Sequence, residues 1–180
     1  YIKFAKILKR DIGYPIGLIQ ASLGGSALSA WNTDEDGYLY KNMLKVIELC
    51  GGKIKGVLWY QGCTDADTGF HDTYLERFKS FVSNVRCDLS EERLPFLTVQ
   101  LNCKIGAGDE FKNIGWGTVR EAQRQAAKLM ENVYVVPSLD CSLSDDIHIS
   151  SAANIILGER LAKMALTKIY SRKYLCCAPD

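Results

Sequence analysis

The residues best suited to chemistry form a short acidic segment near the C-terminal end of the chain. Asp145, Asp146 and His148 stand in the order Asp-Asp-Ile-His just before a long helical pattern, and the chain has only two histidines. A carboxylate beside a histidine fixes the imidazole tautomer and stabilises the imidazolium, which is the usual composition of a general base. Alone, the pattern is more typical of a solvated loop or a helix cap, and His71 is interpreted as a surface or cap residue.

A second polar loop follows the apolar run that ends at Tyr60. It begins with Gln61 and Gly62, continues through Cys63 and Thr64, and reaches Asp65. A loop of this composition offers backbone N–H groups and a side-chain donor to a developing oxyanion. The alternative is the capped start of a helix, with the threonine or the aspartate at the N-cap.

Glycines and aromatic residues add further candidates. Gly24 and Gly25 have no side chain that would block their backbone N–H groups, so they could donate to a substrate oxygen, although a plain turn explains them equally. Trp31 and Trp116 lie in predicted loops, whereas Trp59 is expected in the core. The sequence therefore places candidate binding residues in three separate segments.

Strands and helices must bring these segments together. Apolar runs alternate with helical patterns, and the strands are continuously apolar, as in a parallel sheet covered on both faces. Ligands in such sheets bind beyond the carboxyl ends of the strands, where the three polar loops lie. The predicted elements are a helix ending at Arg10, strands over Ile16–Ala21, Ile54–Tyr60, Phe96–Leu101 and Val133–Pro137, helices over Tyr40–Leu49, Asp72–Val85, Thr118–Met130 and Ser150–Ile169, and a polar loop over Asn102–Gly117.

Length and composition limit the classes of function. The 180 residues favour one domain, predicted over residues 1–170, followed by a tail over residues 171–180. A net charge of +1 gives no footprint for nucleic acid or an anionic membrane, and no apolar run is long enough to span a bilayer. The seven cysteines contain no Cys-x-x-Cys pair, so free thiols are expected, with no structural zinc, other metal or cofactor.

Four segments in this order resemble the carbohydrate esterases that include acetylxylan esterases and sialate O-acetylesterases. Together they extend from Pro15 to about Leu166, which is nearly the whole chain. The matching segments are Pro15–Trp31, Gly56–Ala66, Trp116 with Arg120-Glu121-Ala122-Gln123, and Asp145–His148 with Leu157–Ala162.

The resemblance implies an SGNH hydrolase fold, a three-layer α/β/α sandwich with a parallel sheet, similar in outline to flavodoxin. It also implies hydrolysis of acetyl esters on carbohydrates, such as acetylated xylan or sialic acid, through a serine acyl-enzyme without a metal. His148 would be the base, oriented by Asp145 or by Asp146. Gly24 or Gly25 would donate to the oxyanion, and Gln61, Gly62 and Asp65 would line the pocket. With a carbohydrate as substrate, Trp31 and Trp116 in their predicted loops could stack on sugar rings. Family members are commonly secreted or periplasmic, while the free cysteines and the lack of a visible signal peptide fit the cytoplasm equally.

Two departures from the family pattern affect these expectations. Cys63 and Thr64 stand where the family most often has Glu and Ser. Asp65 follows at a position where the family has Asn or Asp, and an ionised aspartate cannot donate to an oxyanion as asparagine does. The family's first block, with a nucleophilic serine in a Gly-Gln-Ser-Asn-like turn, has no counterpart in the chain, which therefore resembles an N-terminally truncated domain. The serine is expected upstream or on another chain, and that segment would then be a partner. The alternative is a catalytically inactive carbohydrate-binding remnant.

Overall fold

Helices surround a short parallel sheet in the computed structural model, which describes residues 1–106, 110–176 and 178–179. The strands are β1 (Val57–Trp59), β2 (Phe96–Val99) and β3 (Val133–Val136). The helices are α1 (Ile2–Ile12), α2 (Tyr38–Leu49), α3 (Cys63–Asp67), α4 (Tyr74–Asp88), α5 (Glu110–Leu129) and α6 (Ser151–Lys168), with 3₁₀ turns at Leu28–Trp31 and His71–Thr73.

The sheet has the order β1-β2-β3, and both strand pairs are parallel. Alternate side chains of β2 point into two different cores, because successive residues of a strand face opposite sides of the sheet. Phe96 joins the larger core with residues of α2, α4 and α5, and Leu97 joins the second core with residues of α1 and α6. This arrangement confirms the predicted α/β fold, with a helical layer on each face of a parallel sheet.

Aromatic rings fill the larger core behind β1. The ring centroids of Trp59 and Phe81 lie 4.4 Å apart, and Phe78 packs beside both rings. Burial of such large apolar rings is the main stabilising contribution at this layer. The expected core role of Trp59 is therefore confirmed, and α4 is held firmly against the strand that leads into the polar loop.

The predicted strand over Ile16–Ala21 is wrong. None of the described strands pairs with this segment, which runs as irregular chain after the left-handed residue Gly13 that ends α1. Leu18 is exposed, while Ile16 and Ile19 pack against the two cores from outside the sheet. An apolar run becomes a strand only when a neighbour accepts its backbone hydrogen bonds, and periodicity alone does not reveal that neighbour.

The predicted loop over Asn102–Gly117 is also wrong from Glu110 onwards, because α5 begins there rather than at Thr118. Gly115, which falls within the predicted loop, lies inside the helix. A Cβ atom on Gly115 would come within 2.1 Å of the Ala66 carbonyl oxygen, so the glycine permits α3 and α5 to approach closely. Residues 107–109 of the predicted loop lie outside the described residues.

The segment after α6 has no regular secondary structure in its described part and returns along the second core. Tyr174 donates to Asp11 Oδ2 at 2.6 Å, and Cys176 packs against the same core. The cysteines within the described ranges are free thiols, and Cys177 lies outside those ranges. Within the same ranges, no helix combines the length and apolar character needed to cross a bilayer.

Candidate active site

A small hairpin carries His148 between β3 and α6. Leu143 and Ile149 form an antiparallel bridge, and the Ser144 N–H donates to the His148 carbonyl at 2.8 Å. The Ser150 hydroxyl then caps α6 by accepting from a backbone N–H of its first turn. The hairpin thus places the histidine at the carboxyl end of β3, where the sequence predicted a functional loop.

Asp145 holds the tip of this hairpin. Its Oδ1 accepts from the backbone N–H groups of Ile147 and His148 at 2.9 and 2.8 Å, and its Oδ2 lies 2.8 Å from His148 Nδ1. These hydrogen bonds, the one from the Ile147 N–H first, lower the pKa of Asp145 to about 2. An ionised carboxylate only accepts, so Nδ1 carries the proton and Nε2 keeps its lone pair.

Asp146 points elsewhere. Its carboxylate lies beside Gly106, and its carbonyl accepts from the Ile105 N–H at 2.9 Å. Of the two aspartates that the sequence left open, the structure therefore pairs Asp145 with the histidine. Such a pair can accept a proton at Nε2 and return it in a later step.

The imidazole is largely open to solvent. The His148 side chain is 72% exposed and the Asp145 side chain 56%. Ser142 shares a hydrogen bond with Ser150, and the Ser144 hydroxyl donates to the His148 carbonyl. Across the described part of the chain, no hydroxyl or thiol is hydrogen-bonded to His148 Nε2.

Asp65 is fully buried, which contradicts its predicted place in the substrate pocket. Its Oδ2 accepts from the Leu28 N–H and from Gln61 Nε2, and its Oδ1 lies 2.8 Å from Arg77 Nη1. A buried carboxylate needs such partners because desolvation disfavours an unpaired charge. Asp65 therefore connects Leu28 and Gln61 to Arg77 on α4.

Gln61 also bonds inside the protein. Its Nε2 donates to the Ser26 carbonyl and to Asp65, and its Oε1 accepts from the Tyr74 hydroxyl at 3.1 Å. Gly62 is buried as well, with a φ of 138°, and a Cβ atom there would lie 2.9 Å from Val119 Cγ1. The side chain of Gln61 thus stabilises the segment that joins β1 to α3 through hydrogen bonds, and Gly62 allows close packing in the same segment.

Gly24 and Gly25 remain at the surface. A Cβ atom on either would meet nothing within 4 Å, and Gly25 has a φ of 71°. The Thr64 hydroxyl donates to the Gly25 carbonyl at 3.0 Å. The loop that contains Gly24 and Gly25, the glycine loop, therefore lies against α3. The two glycines are therefore the predicted oxyanion donors whose surroundings stay open, and their role remains a prediction.

Trp31 and Trp116 do not offer their rings to a sugar, so that prediction is wrong. They are only 4% and 1% exposed. Trp31 lies in a 3₁₀ turn and packs edge-on against Trp59, whereas Trp116 lies inside α5 and donates to Asp67 Oδ1 at 2.8 Å. Both were assigned to loops, but regular structure turns their rings into the core.

The loop after β2 is the part of the site that sequence reasoning missed. Asn102 Nδ2 donates to the Ile147 carbonyl at 2.8 Å, and Lys104 Nζ lies 2.8 Å from both carboxylate oxygens of Asp67. Arg120 Nη1 donates to the Asn102 carbonyl at 3.0 Å. The available signal was the position of this loop, because all three strands of a parallel sheet end at the same edge.

Cys63 lies close to this edge but is a poor nucleophile. Burial is the main cause that raises the pKa of its thiol to about 11, and the nearby Asp67 raises it further. Since the thiolate is the reactive form, the Cys63 thiol is largely unreactive at neutral pH. No group of three or more His, Cys, Asp or Glu residues suited to a metal ion occurs among the described residues.

Comparison with known proteins places these features in a family. A family profile described as carbohydrate esterase, sialic acid-specific acetylesterase, matches residues 1–167. A probable carbohydrate esterase of Arabidopsis thaliana is 34% identical over 157 residues, which cover 84% of this chain and 56% of that protein. Human sialate O-acetylesterase is 25% identical over 170 residues, which cover 76% of this chain and 32% of the human protein.

Solved structures agree with these matches. The crystal structure of a carbohydrate acetylesterase from Xanthomonas citri has a TM-score of 0.82 at 30% identity and covers 96% of this chain and 41% of that chain. An X-ray structure of an Arabidopsis thaliana protein has a TM-score of 0.77 at 33% identity, with coverages of 92% and 66%.

The chain spans about half the length of the Arabidopsis relative and about a third of the human one. The resemblance read from four sequence segments is confirmed by a profile that matches most of the chain. The chain belongs to the carbohydrate esterase family of sialic acid-specific acetylesterases.

Proposed function

We propose that this chain supplies the general base and its orienting carboxylate to a serine esterase that removes O-acetyl groups from carbohydrates. The observation that carries the proposal is the Asp145–His148 pair, in which a carboxylate fixes Nδ1 and leaves Nε2 free to accept a proton. Family membership supports ester hydrolysis as the reaction class.

In the proposed reaction, Nε2 removes the proton of a serine hydroxyl as its oxygen attacks the acetyl carbonyl carbon. The tetrahedral intermediate then collapses, the bond to the sugar oxygen breaks, and the imidazolium gives its proton to that oxygen. Water, deprotonated by the same Nε2, attacks the acetyl-serine, and the serine leaves with the proton as acetate is released. Asp145 stabilises the imidazolium in both halves of the reaction.

The nucleophilic serine would come from outside this chain. The exposed Nε2, which has no hydroxyl or thiol partner within the described ranges, supports this part of the proposal. The hydroxyls of Ser142 and Ser144 are engaged within the hairpin itself. A serine presented on the Nε2 side by another segment would meet the lone pair directly.

The oxyanion would be stabilised by backbone N–H groups of Gly24 or Gly25. Asp65 is buried and accepts hydrogen bonds from three donors within the protein, so it has a structural role rather than a contact with the substrate. Donors of this kind typically contribute about 3 kcal/mol each to the transition state. The open surface at both glycines supports their assignment.

The names of two similar proteins suggest the substrate class. One is called a sialate O-acetylesterase and the other a carbohydrate acetylesterase. O-acetylated sugars, either sialic acid or xylan units, are therefore the proposed substrates. The buried positions of Trp31 and Trp116 mean that sugar recognition would rest on other groups.

A second candidate is a carbohydrate-binding protein without catalysis. The lack of a hydroxyl or thiol on His148 Nε2, within the described part of the chain, is the observation that favours it. In that case the histidine would contact sugar or solvent and would transfer no proton.

Acetate release by a longer protein that contains this chain separates the two candidates. We expect acetate from O-acetylated sialic acid or acetylated xylan, and a loss of about 10³-fold or more in His148→Ala. Unchanged acetate release in His148→Ala would contradict the esterase proposal. Sugar binding by calorimetry without any acetate release would support the binding protein instead.

A further inference from the structure

Asn102 lies in the loop after β2 and contacts the hairpin that carries His148. The residue is fully buried, and its Nδ2 donates to the Ile147 carbonyl at 2.8 Å. The orientation of the amide follows from chemistry, because a carbonyl oxygen accepts and cannot face another acceptor at that distance. Asn102 is thus a buried donor directed at the residue before His148.

The peptide that joins Ile147 to His148 is held from both sides. Its carbonyl accepts from Asn102, while its N–H donates to Asp145 Oδ1 at 2.8 Å. A peptide unit is planar, so two hydrogen bonds on opposite sides fix its rotation as well as its position. The backbone of His148, and with it the direction of the imidazole, depends on this peptide.

Further hydrogen bonds anchor the loop that contains Asn102. Arg120 Nη1 donates to the Asn102 carbonyl at 3.0 Å, and the Arg120 carbonyl accepts from Gln100 Nε2 at 3.1 Å. Ser138 donates to the Gln100 carbonyl at 2.6 Å and links β2 to the segment after β3. The loop after β2 is therefore anchored to α5 and to the chain that leads into the hairpin.

Only one end of the Asn102 amide is used. Its Oδ1 is buried without a hydrogen-bond partner among the described residues. A buried amide contributes most to stability when both of its ends are paired, and an unpaired acceptor is costly. The side chain nevertheless directs its Nδ2 at Ile147, which fits a role in placing that carbonyl better than a role in general stability.

The hairpin needs such a contact because its own functional pair is exposed. His148 and Asp145 are both largely open to water, where hydrogen bonds between side chains are weak. The Ile105 N–H does not hold the Ile147–His148 peptide, since it donates to the carbonyl of the preceding residue, Asp146. The tie to the Ile147–His148 peptide from the protein interior comes from Asn102, whose own side chain is fully buried.

We propose that Asn102 is a positioning residue, which orients His148 toward the nucleophile by fixing the Ile147–His148 peptide against Asp145. This role rests on the proposed function, because a base must be oriented only if it accepts a proton. Asn102 itself touches neither His148 nor a substrate. It acts through one peptide plane.

The test is the tautomer of His148, read from the ¹⁵N chemical shifts of its two ring nitrogens at alkaline pH. The chain has two histidines, so the spectrum contains two imidazoles. His71 is an internal reference, since its Nδ1 lies 2.7 Å from the Thr68 carbonyl and must carry the proton. In the wild-type chain we expect both histidines as the Nδ1–H tautomer.

Three variants are compared. In Asn102→Ala and Asn102→Leu the His148 signals should shift toward the Nε2–H tautomer that a free imidazole favours, while His71 stays unchanged. The leucine side chain is similar in size to that of asparagine, so this variant keeps the interior filled if the alanine variant does not fold. Asn32→Ala is the control, because Asn32 is also buried and donates through Nδ2, but to Glu35 and the Arg77 carbonyl.

An unchanged His148 tautomer in a folded Asn102 variant would overturn the proposal, and so would an equal shift in Asn32→Ala. This readout needs no turnover, so it is independent of the proposed function. In the longer protein, if it is active, the Asn102 variants should lower kcat about tenfold to a hundredfold with little change in KM. A shifted tautomer with normal kcat would overturn the positioning role, whereas an inactive wild-type protein would count against the proposed function alone.

Discussion

Asp145 and His148 combine a fixed carboxylate with an accessible imidazole nitrogen. Three hydrogen bonds to the carboxylate lower the pKa of Asp145 from 3.8 to about 2. Because this pKa is lower in the folded protein, the stabilisation is fully present above the ordinary value of 3.8 and is lost as the pH falls through about 2. The carboxylate therefore stays ionised through the neutral range, where it is needed beside an imidazolium.

The two adjacent aspartates should differ sharply when each is replaced by asparagine. Asp145→Asn removes the charge that stabilises the imidazolium and should lower kcat/KM for acetyl ester hydrolysis by the longer protein about 10²- to 10⁴-fold. Asp146→Asn is the matched control and should stay close to wild type, because its carboxylate lies beside Gly106. Equal losses in the two variants would contradict the pairing.

Cys63 should be neither a nucleophile nor a rapidly labelled thiol. Burial raises the pKa of its thiol to about 11, whereas Cys50 is exposed. Iodoacetamide at neutral pH should therefore modify Cys50 well before Cys63, as followed by peptide mass spectrometry. Cys63→Ala should leave ester hydrolysis unchanged. Rapid labelling of Cys63, with loss of activity, would show that the thiol takes part in the chemistry.

At the scale of elements, the site is a set of loops joined at one edge of the sheet. The glycine loop bonds to α3 through Thr64, and the loop after β2 bonds to α3 through Lys104 and Asp67. That loop also bonds to the hairpin through Asn102. The loops therefore form one surface that is connected by hydrogen bonds.

The junction between β1 and α3 should tolerate no side chain at Gly62. Its φ of 138° is unfavourable for other residues, and a Cβ atom would lie 2.9 Å from Val119 Cγ1. Gly62→Ala should lower the free energy of unfolding by about 2 kcal/mol or more in urea denaturation. Gly24→Ala, where a Cβ atom meets nothing within 4 Å, should change it by less than about 0.5 kcal/mol. Similar values for both variants would contradict the close packing at Gly62.

The sequence predicted these elements well where apolar periodicity and burial coincide. Helix α6 and the three strands β1, β2 and β3 lie within the predicted segments, although the strands are shorter, while α2 begins two residues earlier and α4 ends three residues later than predicted. The strand over Ile16–Ala21 failed because strand formation depends on a neighbour that the local pattern does not specify. The predicted start of α5 is too late because a polar, glycine-containing segment is typical of a loop, whereas Gly115 here permits a close helix contact.

At the scale of the whole molecule, Asp65 ties distant parts of the chain together. It accepts from the Leu28 N–H, 37 residues earlier, and from Arg77 on α4, whose guanidinium also binds Glu35. The network is largely buried, so its loss leaves donors without partners. Asp65, which the sequence predicted in a substrate pocket, instead connects the segment after the glycine loop to the core.

Asp65→Ala should therefore destabilise the fold strongly. Removing one partner of a buried ion pair typically costs about 3 kcal/mol or more, which thermal or urea unfolding would detect. Glu76→Ala is the control, because Glu76 is exposed on α4 and pairs with Lys79 three residues later, an interaction worth less than about 1 kcal/mol. A small change in the free energy of unfolding of Asp65→Ala would contradict this structural role of Asp65.

Part of the candidate site was visible in the sequence and part was not. The Asp-Asp-Ile-His segment and the glycine loop stand out because their residue types are unusual after apolar runs. Asn102 could not be found that way, since its importance comes from a contact with a residue 45 positions later. Trp31 and Trp116 were misassigned because burial depends on packing between helices that single positions do not reveal.

The most direct test of the central claim is hydrolysis of p-nitrophenyl acetate by the purified 180-residue chain, with His148→Ala as the control. The proposal that this chain holds the base and the orienting carboxylate, but not the nucleophile, predicts no turnover above that of the variant. Turnover that disappears in His148→Ala would contradict it, because a nucleophile within these residues would then have to reach His148 Nε2.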